Sequence, residues 1–309
     1  MPISDYYIIL NPAADRGRAA RLGPELRRLF RATGARAELV ETERRGHAGE
    51  LAEAAAREGR PAVVAVGGDG VVHEVVNGLL RAAGDGPTVP LGLIAAGSGN
   101  DFIKMIGTPR RPADAVRALV AAEARAVDVG CVTCCEAERA PRGKWFFTNG
   151  IGLGFDAQVA VAASGVQRLR GMAIYAVALL RVLRHLRTPR IRVVVDGVEI
   201  ADRELLLTTI GNGACHGGSF WLCPDASIED GLFDVLISDA RSVPAVLRLL
   251  PRVMRGRHLG EPGVELHRGR VVEITSDTPL PIHADGEIVG AGVRRIRAEV
   301  APGRLTVLG

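Results

Sequence analysis

Short apolar runs that end in glycine set the main constraint on how this chain can fold. Ala62–Val66 is a continuous apolar run followed by Gly67 and Gly68, and Leu91–Ala95 is a second run followed closely by Gly97. Runs of this length without polar alternation are typical of strands that are buried on both faces. Helix-like stretches alternate with these runs, so the pattern predicts a mostly parallel sheet with helices on both faces.

The N-terminal part of the chain repeats this alternation. The predicted strands and helices are Tyr6–Leu10, Arg18–Ala32 (helix), Ala37–Val40, Ala48–Glu58 (helix), Ala62–Val66, Val72–Ala82 (helix) and Leu91–Ala95. In sheets of this kind, ligands bind beyond the carboxyl ends of the strands. Asn11-Pro12 and the glycine-rich segments fall at those ends, which makes them candidate binding loops.

After about residue 128 the pattern changes to strands with few helices between them. Asp196-Gly197 lies between two apolar runs and predicts a tight hairpin turn. Two helix-like segments, Val166–Leu186 and Val243–Met254, interrupt the strands. The predicted strands of this part are Ile191–Val195, Glu204–Ile210, Leu232–Ile237, Val271–Thr275 and Arg294–Val300.

We therefore predict two domains. The first, residues 1–128, is an α/β domain of three layers with a mostly parallel sheet, and residues 292–309 are a candidate to complete it. The second, residues 129–291, is a β-rich antiparallel sandwich. A length of 309 residues suits two domains of ordinary size.

Composition and charge narrow the class of protein only modestly. A formal charge of +4 fits an anionic partner such as a nucleotide or an acidic membrane surface, but it is too small to choose between them. The five cysteines form no disulfide framework, and the cluster at Cys131, Cys134 and Cys135 has no second Cys or His pair to complete a tetrahedral metal site. We expect a reducing, cytoplasmic environment.

No export signal is recognisable at the N-terminus. The most apolar helix candidate, Gly171–Leu180, is shorter than the roughly twenty residues that a membrane span needs. We therefore expect a cytoplasmic protein, with peripheral binding at the inner membrane face as the open alternative.

The two glycine-rich loops carry the chemistry. Gly67-Gly68-Asp69-Gly70 follows a buried strand and precedes a helix, an arrangement that lets backbone N–H groups approach a phosphate near a helix N-terminus. The alternative is a plain strand-to-helix connection. The segment Gly97–Phe102 repeats the arrangement one unit later, although Asn100-Asp101 could also be an ordinary helix cap.

Taken in order, six segments resemble the bacterial diacylglycerol kinase and sphingosine kinase family of lipid kinases, and they span nearly the whole chain. They are Asn11-Pro12, Gly67–Gly70 with Glu74–Gly78, Gly97–Phe102, Gly152–Ala157, Asp230–Asp234 and Asp285–Glu287.

This resemblance implies a nucleotide-binding first domain, a lipid-substrate second domain and ATP in the cleft between them. It implies Mg²⁺ near Asp230, with the backbone carbonyls of Ser227 and Leu232, and it implies Glu287 as catalytic base with Asp285 as the second choice. The residues that it places along the nucleotide are Asn11, Thr42, Gly67, Gly68, Asp69, Gly70, Ser98 and Asn100.

The residue types suit these roles. Phosphoryl transfer needs charge neutralisation and alignment more than covalent chemistry. Mg²⁺ takes one or two carboxylates together with phosphate oxygens and water, and a lipid hydroxyl needs a carboxylate within hydrogen-bond reach. The alternative for Asp230-Gly231 and Asp285-Gly286 is a hairpin turn, since each lies between predicted strands as Asp196-Gly197 does.

The chain departs from the family pattern at three places. Val71 stands where many members have Thr, Ala13-Ala14-Asp15 replaces the usual small residue and glycine, and Ser98 stands where Thr is common. No phosphate-binding lysine of the Gly-Lys-Ser/Thr type is present, so backbone amides, the metal and Arg16 or Arg18 would have to contact the phosphates.

Three further features of the sequence have possible functional interpretations. Gly152–Ala157 fits a dinucleotide fingerprint, but we reject it because no acidic residue lies between Asp156 and Asp196. His216 and His283 are assigned no role. Val166–Leu186 is a basic amphipathic segment, and both membrane docking and core packing with solvated arginines stay open.

The sequence thus predicts an ATP- and Mg²⁺-dependent lipid kinase whose substrate is a diacylglycerol-like or sphingoid-like lipid at the membrane surface. We expect no nucleic acid partner, and a homodimer stays open. The alternatives are a kinase of nicotinamide dinucleotides, which also uses a Gly-Gly-Asp-Gly loop, and a catalytically silent nucleotide or lipid sensor.

Overall fold

The structure is a computed structural model that describes residues 3–137, 144–164 and 172–309. Its contacts divide the chain into two compact units. Unit 1 comprises Met1–Val129 and Pro302–Gly309, and unit 2 comprises Gly130–Ala301.

Unit 1 alternates strands and helices. In chain order its elements are β1 (Asp5–Leu10), a 3₁₀ turn (Arg18–Arg21), α1 (Leu22–Ala32), β2 (Arg36–Glu41), α2 (His47–Arg57), β3 (Val63–Gly67), α3 (Asp69–Ala83), β4 (Leu91–Ala95), α4 (Asp101–Ile106), α5 (Pro112–Ala121) and the first part of β5 (Ala124–Ala137). The end of the last strand, β13 (Glu287–Leu308), also belongs to this unit.

The sheet of unit 1 is parallel, in the order β2-β1-β3-β4. Ile8 pairs with Leu39 on one side and with Val64 on the other, and Val64 pairs in turn with Gly92. Val307 of β13 adds a parallel pairing beside Leu91. The predicted α/β class is confirmed.

Both faces of this sheet are covered by apolar packing. One apolar cluster joins β1 and β3 to helices α1 and α5, through Ile8, Val64, Leu26, Phe30 and Leu119, all of which are fully buried or nearly so. The continuous apolar runs of the sequence are therefore the central strands of the unit.

Two predicted helix starts were wrong. Arg18–Ala32 is not one helix, because the α-helical part begins only at Leu22; this places Pro24 in the first turn, where its missing N–H costs no hydrogen bond. Helix α3 begins at Asp69 rather than Val72, so Gly70 lies in its first turn. Helices α4 and α5 were not predicted, although Pro112 at the start of α5 is a common helix-start signal.

Unit 2 is mainly β-structure. Besides parts of β5 and β13, its elements are β6 (Lys144–Phe147), β7 (Gly150–Gly154), α6 (Phe155–Ser164), α7 (Met172–Leu183), β8 (Arg190–Val195), β9 (Val198–Gly211), β10 (Phe233–Asp239), α8 (Val243–Val253), β11 (Val264–Gly269) and β12 (Val271–Ala284).

Strands of unit 2 pair antiparallel in the order β11-β10-β9-β7-β12-β13, and β8 pairs with both β9 and β12. Alternate residues along these strands are fully buried and form the core of unit 2. They include Ile151, Val193, Ile210, Val235 and Ile282. The β-rich antiparallel part of the prediction is confirmed.

The two tight turns differ from the segment around Asp230. Asp196-Gly197 and Asp285-Gly286 each join two paired strands with positive φ at both residues, the backbone of a two-residue hairpin. Asp230-Gly231 is not a two-residue turn, because it lies near the end of the long connection between β9, which ends at Gly211, and β10, which begins at Phe233. The hairpin alternative for Asp230 was therefore wrong.

Helices α6, α7 and α8 share one apolar cluster in unit 2. Of the predicted helical segment Val166–Leu186, α7 covers Met172–Leu183, and residues 165–171 lie outside the described part of the chain. Within the described residues, no helix combines the length and the apolar character that crossing a bilayer requires.

Candidate active site

The predicted nucleotide-binding residues of unit 1 follow the ends of its parallel strands. Asn11 follows β1, Thr42 follows β2, Gly68 follows β3 and Ser98 lies in the loop after β4. The N–H of Thr42 donates to the carbonyl of Leu10 at 2.9 Å, and the N–H of Asn11 donates to the carbonyl of Val66 at 3.1 Å. These residues therefore lie along one edge of the sheet, the edge where ligands of such sheets bind.

The two glycine loops touch one another through bare backbone. A Cβ added at Gly97 would lie 2.3 Å from the Cα of Gly68, and one added at Gly68 would lie 3.1 Å from the Cα of Gly97. Side chains at these two positions would push the loops apart. Glycine is thus required here for a loop-to-loop contact, in addition to any approach of a phosphate.

Asp69 joins the same two loops through its carboxylate. Oδ2 accepts the N–H of Asn100 at 2.8 Å, and Oδ1 accepts the N–H of Asp101 at 2.6 Å. These are N–H groups at the start of α4, which have no partner within the helix. Asp69, the first residue of α3, therefore caps α4 and fixes the spacing of the two glycine segments.

Asn100 closes the second loop on itself. Its Nδ2 donates to the carbonyl of Gly97 at 2.6 Å, and its Oδ1 accepts the N–H of Gly97 at 3.1 Å. Asn100 has a φ of 56°, a left-handed conformation that asparagine tolerates better than most residues. The side chain of Ser98, in contrast, is exposed at the tip of the loop.

The remaining predicted residues of this edge have local roles as well. Oδ1 of Asn11 accepts the N–H of Ala13 at 2.9 Å, which shapes the turn after β1. Val71, where the family often has Thr, is buried against Gly67: a Cβ at Gly67 would lie 2.6 Å from Cγ2 of Val71. The change to Val71 therefore keeps a well-packed loop base.

Glu74 was part of a matching segment but was given no role by the sequence. Its carboxylate accepts the N–H of Gly46 at 2.8 Å and that of Ala48 at 3.2 Å, at the start of α2. Four residues later, a Cβ at Gly78 would lie 2.2 Å from the carbonyl oxygen of Gly49. Glu74 and Gly78 therefore join α3 closely to α2, the helix that follows Thr42.

In unit 2, the carboxylate of Asp285 is used to hold a neighbouring turn. Oδ1 accepts the N–H of Asn149 at 2.8 Å and of Gly150 at 3.1 Å, and Oδ2 accepts the N–H of Thr148 at 2.9 Å and its hydroxyl at 3.3 Å. From the other side, Nδ2 of Asn212 donates to the carbonyl of Thr148 at 2.7 Å. Asp285 is therefore a structural anchor between the β12–β13 hairpin and the start of β7.

Glu287 is the first residue of β13 and lies opposite Ala284 in the hairpin. It is half-buried, and it follows the two turn residues Asp285 and Gly286 directly. Its position is thus fixed by the turn that Asp285 anchors.

A second polar group, missed by the sequence reasoning, adjoins this hairpin. His283 is buried; its Nδ1 lies 3.3 Å from the N–H of Gly286 and accepts from it, and its Nε2 lies 3.7 Å from Oδ2 of Asp156. Oδ2 of Asp156 also accepts the hydroxyl of Thr209 at 3.1 Å. The matching segment Gly152–Ala157 was the signal that could have identified Asp156.

Gly152 is required by this group. A Cβ at Gly152 would lie 2.0 Å from Oδ2 of Asp156 and 2.3 Å from Nε2 of His283. The Gly-x-Gly-Phe-Asp-Ala pattern is therefore explained by two polar side chains that pack over bare backbone.

Asp230, the predicted metal ligand, lies in a group of acidic side chains around one arginine. Its Oδ1 accepts the N–H of Leu232 at 3.1 Å, and Arg268 donates to its Oδ2. Nε of Arg268 also donates to Oδ1 of Asp234 at 2.8 Å. Burial raises the pKa of Asp234, although the hydrogen bond from Arg268 opposes this shift. Arg268 was not identified from the sequence.

The comparisons with known proteins agree along the chain. The Diacylglycerol kinase catalytic domain family matches residues 5–132, and the YegS C-terminal NAD kinase beta sandwich-like domain family matches residues 149–309. The chain is similar to a diacylglycerol kinase of Mycobacterium tuberculosis, with 32% identity over 77% of this chain and 74% of the relative. It is also 32% identical to a Chromohalobacter salexigens protein named "Probable lipid kinase YegS-like", over 97% of this chain and 92% of that protein.

Solved structures show the same fold. A diacylglycerol kinase from Bacillus anthracis superposes with a TM-score of 0.73 at 18% identity, over 100% of this chain and 97% of that one. Yeast NADH kinase, solved with NADH, gives a TM-score of 0.51 at 11% identity, over 100% of this chain and 84% of that one. The chain therefore belongs to the diacylglycerol kinase and YegS-like lipid kinase family, whose members are phosphotransferases with an alcohol group as acceptor.

Proposed function

We propose that this chain transfers the γ-phosphoryl group of ATP, with Mg²⁺, to the free hydroxyl of a diacylglycerol-like or sphingoid-like lipid. The observation that carries the proposal is the pair of glycine loops that Asp69 joins at the strand ends of unit 1, in a chain whose relatives include named diacylglycerol kinases. Unit 1 is then the nucleotide-binding domain, and unit 2 the lipid-substrate domain.

We divide the proposed nucleotide-site residues into those that position the loops and those that contact the nucleotide. Asp69 and Asn100 hold the loops through their hydrogen bonds, so we assign them to positioning. Backbone N–H groups of Gly67, Gly68 and Gly70 are proposed to face the phosphates, as such groups do in other glycine loops. Further proposed contacts along the nucleotide come from Asn11, Thr42 and Ser98.

Asp230 is the proposed centre of a magnesium site. The proposed ligands are oxygens only, the Asp230 carboxylate with the carbonyls of Ser227 and Leu232, and Mg²⁺ prefers oxygen ligands and keeps several waters. Three carboxylates, those of Asp230, Asp234 and Asp225, lie near one another around the single guanidinium of Arg268. Negative charge therefore exceeds positive charge at this position. A bound Mg²⁺ would supply positive charge that offsets the negative charge on phosphate oxygens.

We assign the base to Glu287 rather than Asp285. Both oxygens of Asp285 accept backbone N–H groups, and such bonds stabilise the charged form and hold it in place. Glu287 would take the proton of the lipid hydroxyl as the hydroxyl oxygen bonds to the γ-phosphorus. The bond from that phosphorus to the bridging oxygen of ADP breaks, and the products are ADP and a lipid phosphate.

The test is phosphoryl transfer from radiolabelled ATP to diacylglycerol, sphingosine, ceramide or NAD, with the product identified by mass spectrometry. We expect a labelled lipid, no labelled dinucleotide, and loss of turnover when Mg²⁺ is chelated. Labelled NAD, or ATP binding without transfer to any lipid, would contradict the proposal.

The substitution Glu287→Gln removes the proposed base while keeping the side chain nearly the same shape. We expect kcat to fall by about 100- to 10,000-fold, the usual contribution of a general base, while ATP still binds. Glu299→Gln is the matched control, because Glu299 lies on the same strand and its carboxylate pairs with Arg297. Wild-type turnover in Glu287→Gln would remove Glu287 from the mechanism.

We also propose that the enzyme works peripherally at a membrane surface, on the cytoplasmic side, since its substrate is a lipid. A homodimer stays a prediction to be tested by the mass of the protein in solution.

A further inference from the structure

We propose that the outer surface of helices α7 and α8 in unit 2 docks the protein onto a bilayer that contains anionic phospholipids. We call this surface the basic helical surface and define it by Leu180, Arg181, Arg184, Leu247, Arg248 and Met254, all of which are exposed. The inference rests on the proposed function for its purpose, because a lipid kinase must reach a substrate held in a bilayer.

The two helices present a common surface because they share an apolar cluster. Val182 and Leu183 of α7 and Val246 of α8 are buried together in that cluster, with Leu206 of β9. Their buried sides therefore point into unit 2. The residues on the opposite sides, including Leu180 and Leu247, are left on the outside.

Charge favours an anionic partner. No Asp or Glu occurs between residues 157 and 195 or between residues 240 and 260, the stretches that contain the two helices. Over the described residues, no ion pair to an acidic side chain is found for Arg181, Arg184 or Arg248. On the β8–β9 hairpin the arginines are neutralised instead: Arg190 pairs with Asp202 and Arg192 with Glu199, each at 2.7 Å.

Exposed apolar side chains among these arginines favour a bilayer over a purely polyanionic partner. Leu180 is 59% exposed, Leu247 44% and Met254 40%. Trp221 is 37% exposed beside α8, where its backbone N–H donates to the carbonyl of Val253 at 3.2 Å. Arginine together with exposed leucine and methionine is a composition that suits insertion into the headgroup region of membranes, where tryptophan is also frequent.

The basic helical surface is connected to the proposed catalytic hairpin within unit 2. Helix α6 begins with Phe155, which belongs to the cluster shared by α7 and α8. The next residue, Asp156, lies 3.7 Å from Nε2 of His283, two residues before the turn that leads to Glu287. A bilayer on the basic helical surface would therefore lie against the helices that pack next to this hairpin.

Co-sedimentation with vesicles, without ATP, tests the surface separately from catalysis. We expect the protein to bind vesicles of phosphatidylglycerol and phosphatidylcholine, to bind pure phosphatidylcholine weakly, and to be released by high salt. The variant Arg181→Gln/Arg184→Gln/Arg248→Gln should bind the anionic vesicles about tenfold more weakly or worse. The variant Leu180→Ser/Leu247→Ser, which keeps all charges, should also bind more weakly.

The matched control is Arg28→Gln/Arg31→Gln/Arg110→Gln, which removes the same charge from exposed positions of unit 1. It should bind vesicles like the wild type, and circular dichroism should show all variants folded. Equal binding by the control and by the α7–α8 arginine variant would overturn the proposal. So would equal binding to neutral vesicles, or binding to duplex DNA but not to vesicles.

Turnover gives a second readout that separates this proposal from the proposed function. The α7–α8 arginine variant should phosphorylate diacylglycerol in neutral detergent micelles at the wild-type rate, but should be at least about tenfold slower on anionic vesicles. An equal loss of rate on micelles and on vesicles would overturn membrane docking as the role of these arginines. If no lipid is phosphorylated by the wild type while vesicle binding follows the arginines, the docking surface stands and the proposed function fails.

Discussion

The carboxylate of Asp69 accepts the backbone N–H of Asn100 at 2.8 Å, and this bond links the loop after β3 to the loop after β4. Its other oxygen accepts the N–H of Asp101, so both carboxylate oxygens are directed at the start of α4. An acidic residue in the proposed phosphate-binding loop would otherwise repel an anionic ligand. Its hydrogen bonds to backbone explain why this loop tolerates one.

Asp69→Asn should therefore weaken both stability and ATP binding. The asparagine amide has one acceptor oxygen where the carboxylate has two, and its NH₂ group would face a backbone N–H. We therefore expect the free energy of unfolding of unit 1 to fall by about 1–3 kcal/mol. Hydrogen exchange at Asn100 and Asp101 should become faster than in the wild type. The control is Asp85→Asn, at a fully exposed carboxylate. Unchanged exchange at both amides would show that the Asp69 bonds do not hold the loop.

Gly97→Ala should separate the two glycine loops. The new Cβ would lie 2.3 Å from the Cα of Gly68, closer than atoms can approach, so one loop has to move. We expect KM for ATP to rise by about tenfold or more, since small displacements of positioning groups are costly. ATP titration by calorimetry measures the loss directly.

Gly86→Ala is the matched control for Gly97→Ala. A Cβ there would lie 3.4 Å from the carbonyl oxygen of Ala83, an ordinary contact. We expect ATP affinity to be unchanged in this variant. Equal ATP affinity in the Gly97 variant would mean that the loop contact has no part in binding.

The substitution Asp285→Ala should destabilise unit 2, whereas Glu287→Gln should not. It removes the acceptor of three backbone N–H groups and one hydroxyl, and we expect a loss of about 2–3 kcal/mol in the free energy of unfolding. Both tryptophans, Trp145 and Trp221, lie in unit 2, so urea unfolding followed by their fluorescence reports on this unit. If Asp285→Ala is as stable as Glu287→Gln but inactive, Asp285 has a catalytic role instead.

The sequence predicted the elements whose signal is local. The buried runs at Ala62–Val66 and Leu91–Ala95 became central strands, and the Asp196-Gly197 turn was recognisable from two residues. The contacts that define the site are between residues far apart in the chain, such as Asp285 with Thr148. No periodicity encodes such a pair.

The same limit applies to His283 and Arg268. A lone histidine gives no sequence signal until Asp156 and Gly286 are known to be its neighbours. Arg268 is one of many arginines in the chain, and only the pairing of β10 with β11 places it beside Asp234. The family resemblance supplied candidate residues, whereas the hydrogen bonds that support the proposed division between positioning and chemistry are visible only in the structure.

His258 should make unit 2 less stable in mild acid. The side chain is buried, and burial lowers its pKa below the ordinary 6.5, although a hydrogen bond to the carbonyl of Leu222 at 3.0 Å opposes this shift. The unfolded chain therefore takes up a proton at this position before the folded one does. As pH falls below 6.5 toward the lowered pKa, stability should be lost by at most about 1.4 kcal/mol per pH unit, and above 6.5 the effect should vanish.

His258→Gln isolates this contribution, because glutamine can still donate to the carbonyl of Leu222 but does not titrate. We expect the wild type and the variant to differ in urea midpoint by a constant amount above pH 6.5. Below that pH the wild type should lose stability faster than the variant, and all other groups cancel in the comparison. Parallel curves over the whole range would show that the folded protein holds His258 protonated as readily as the unfolded chain does.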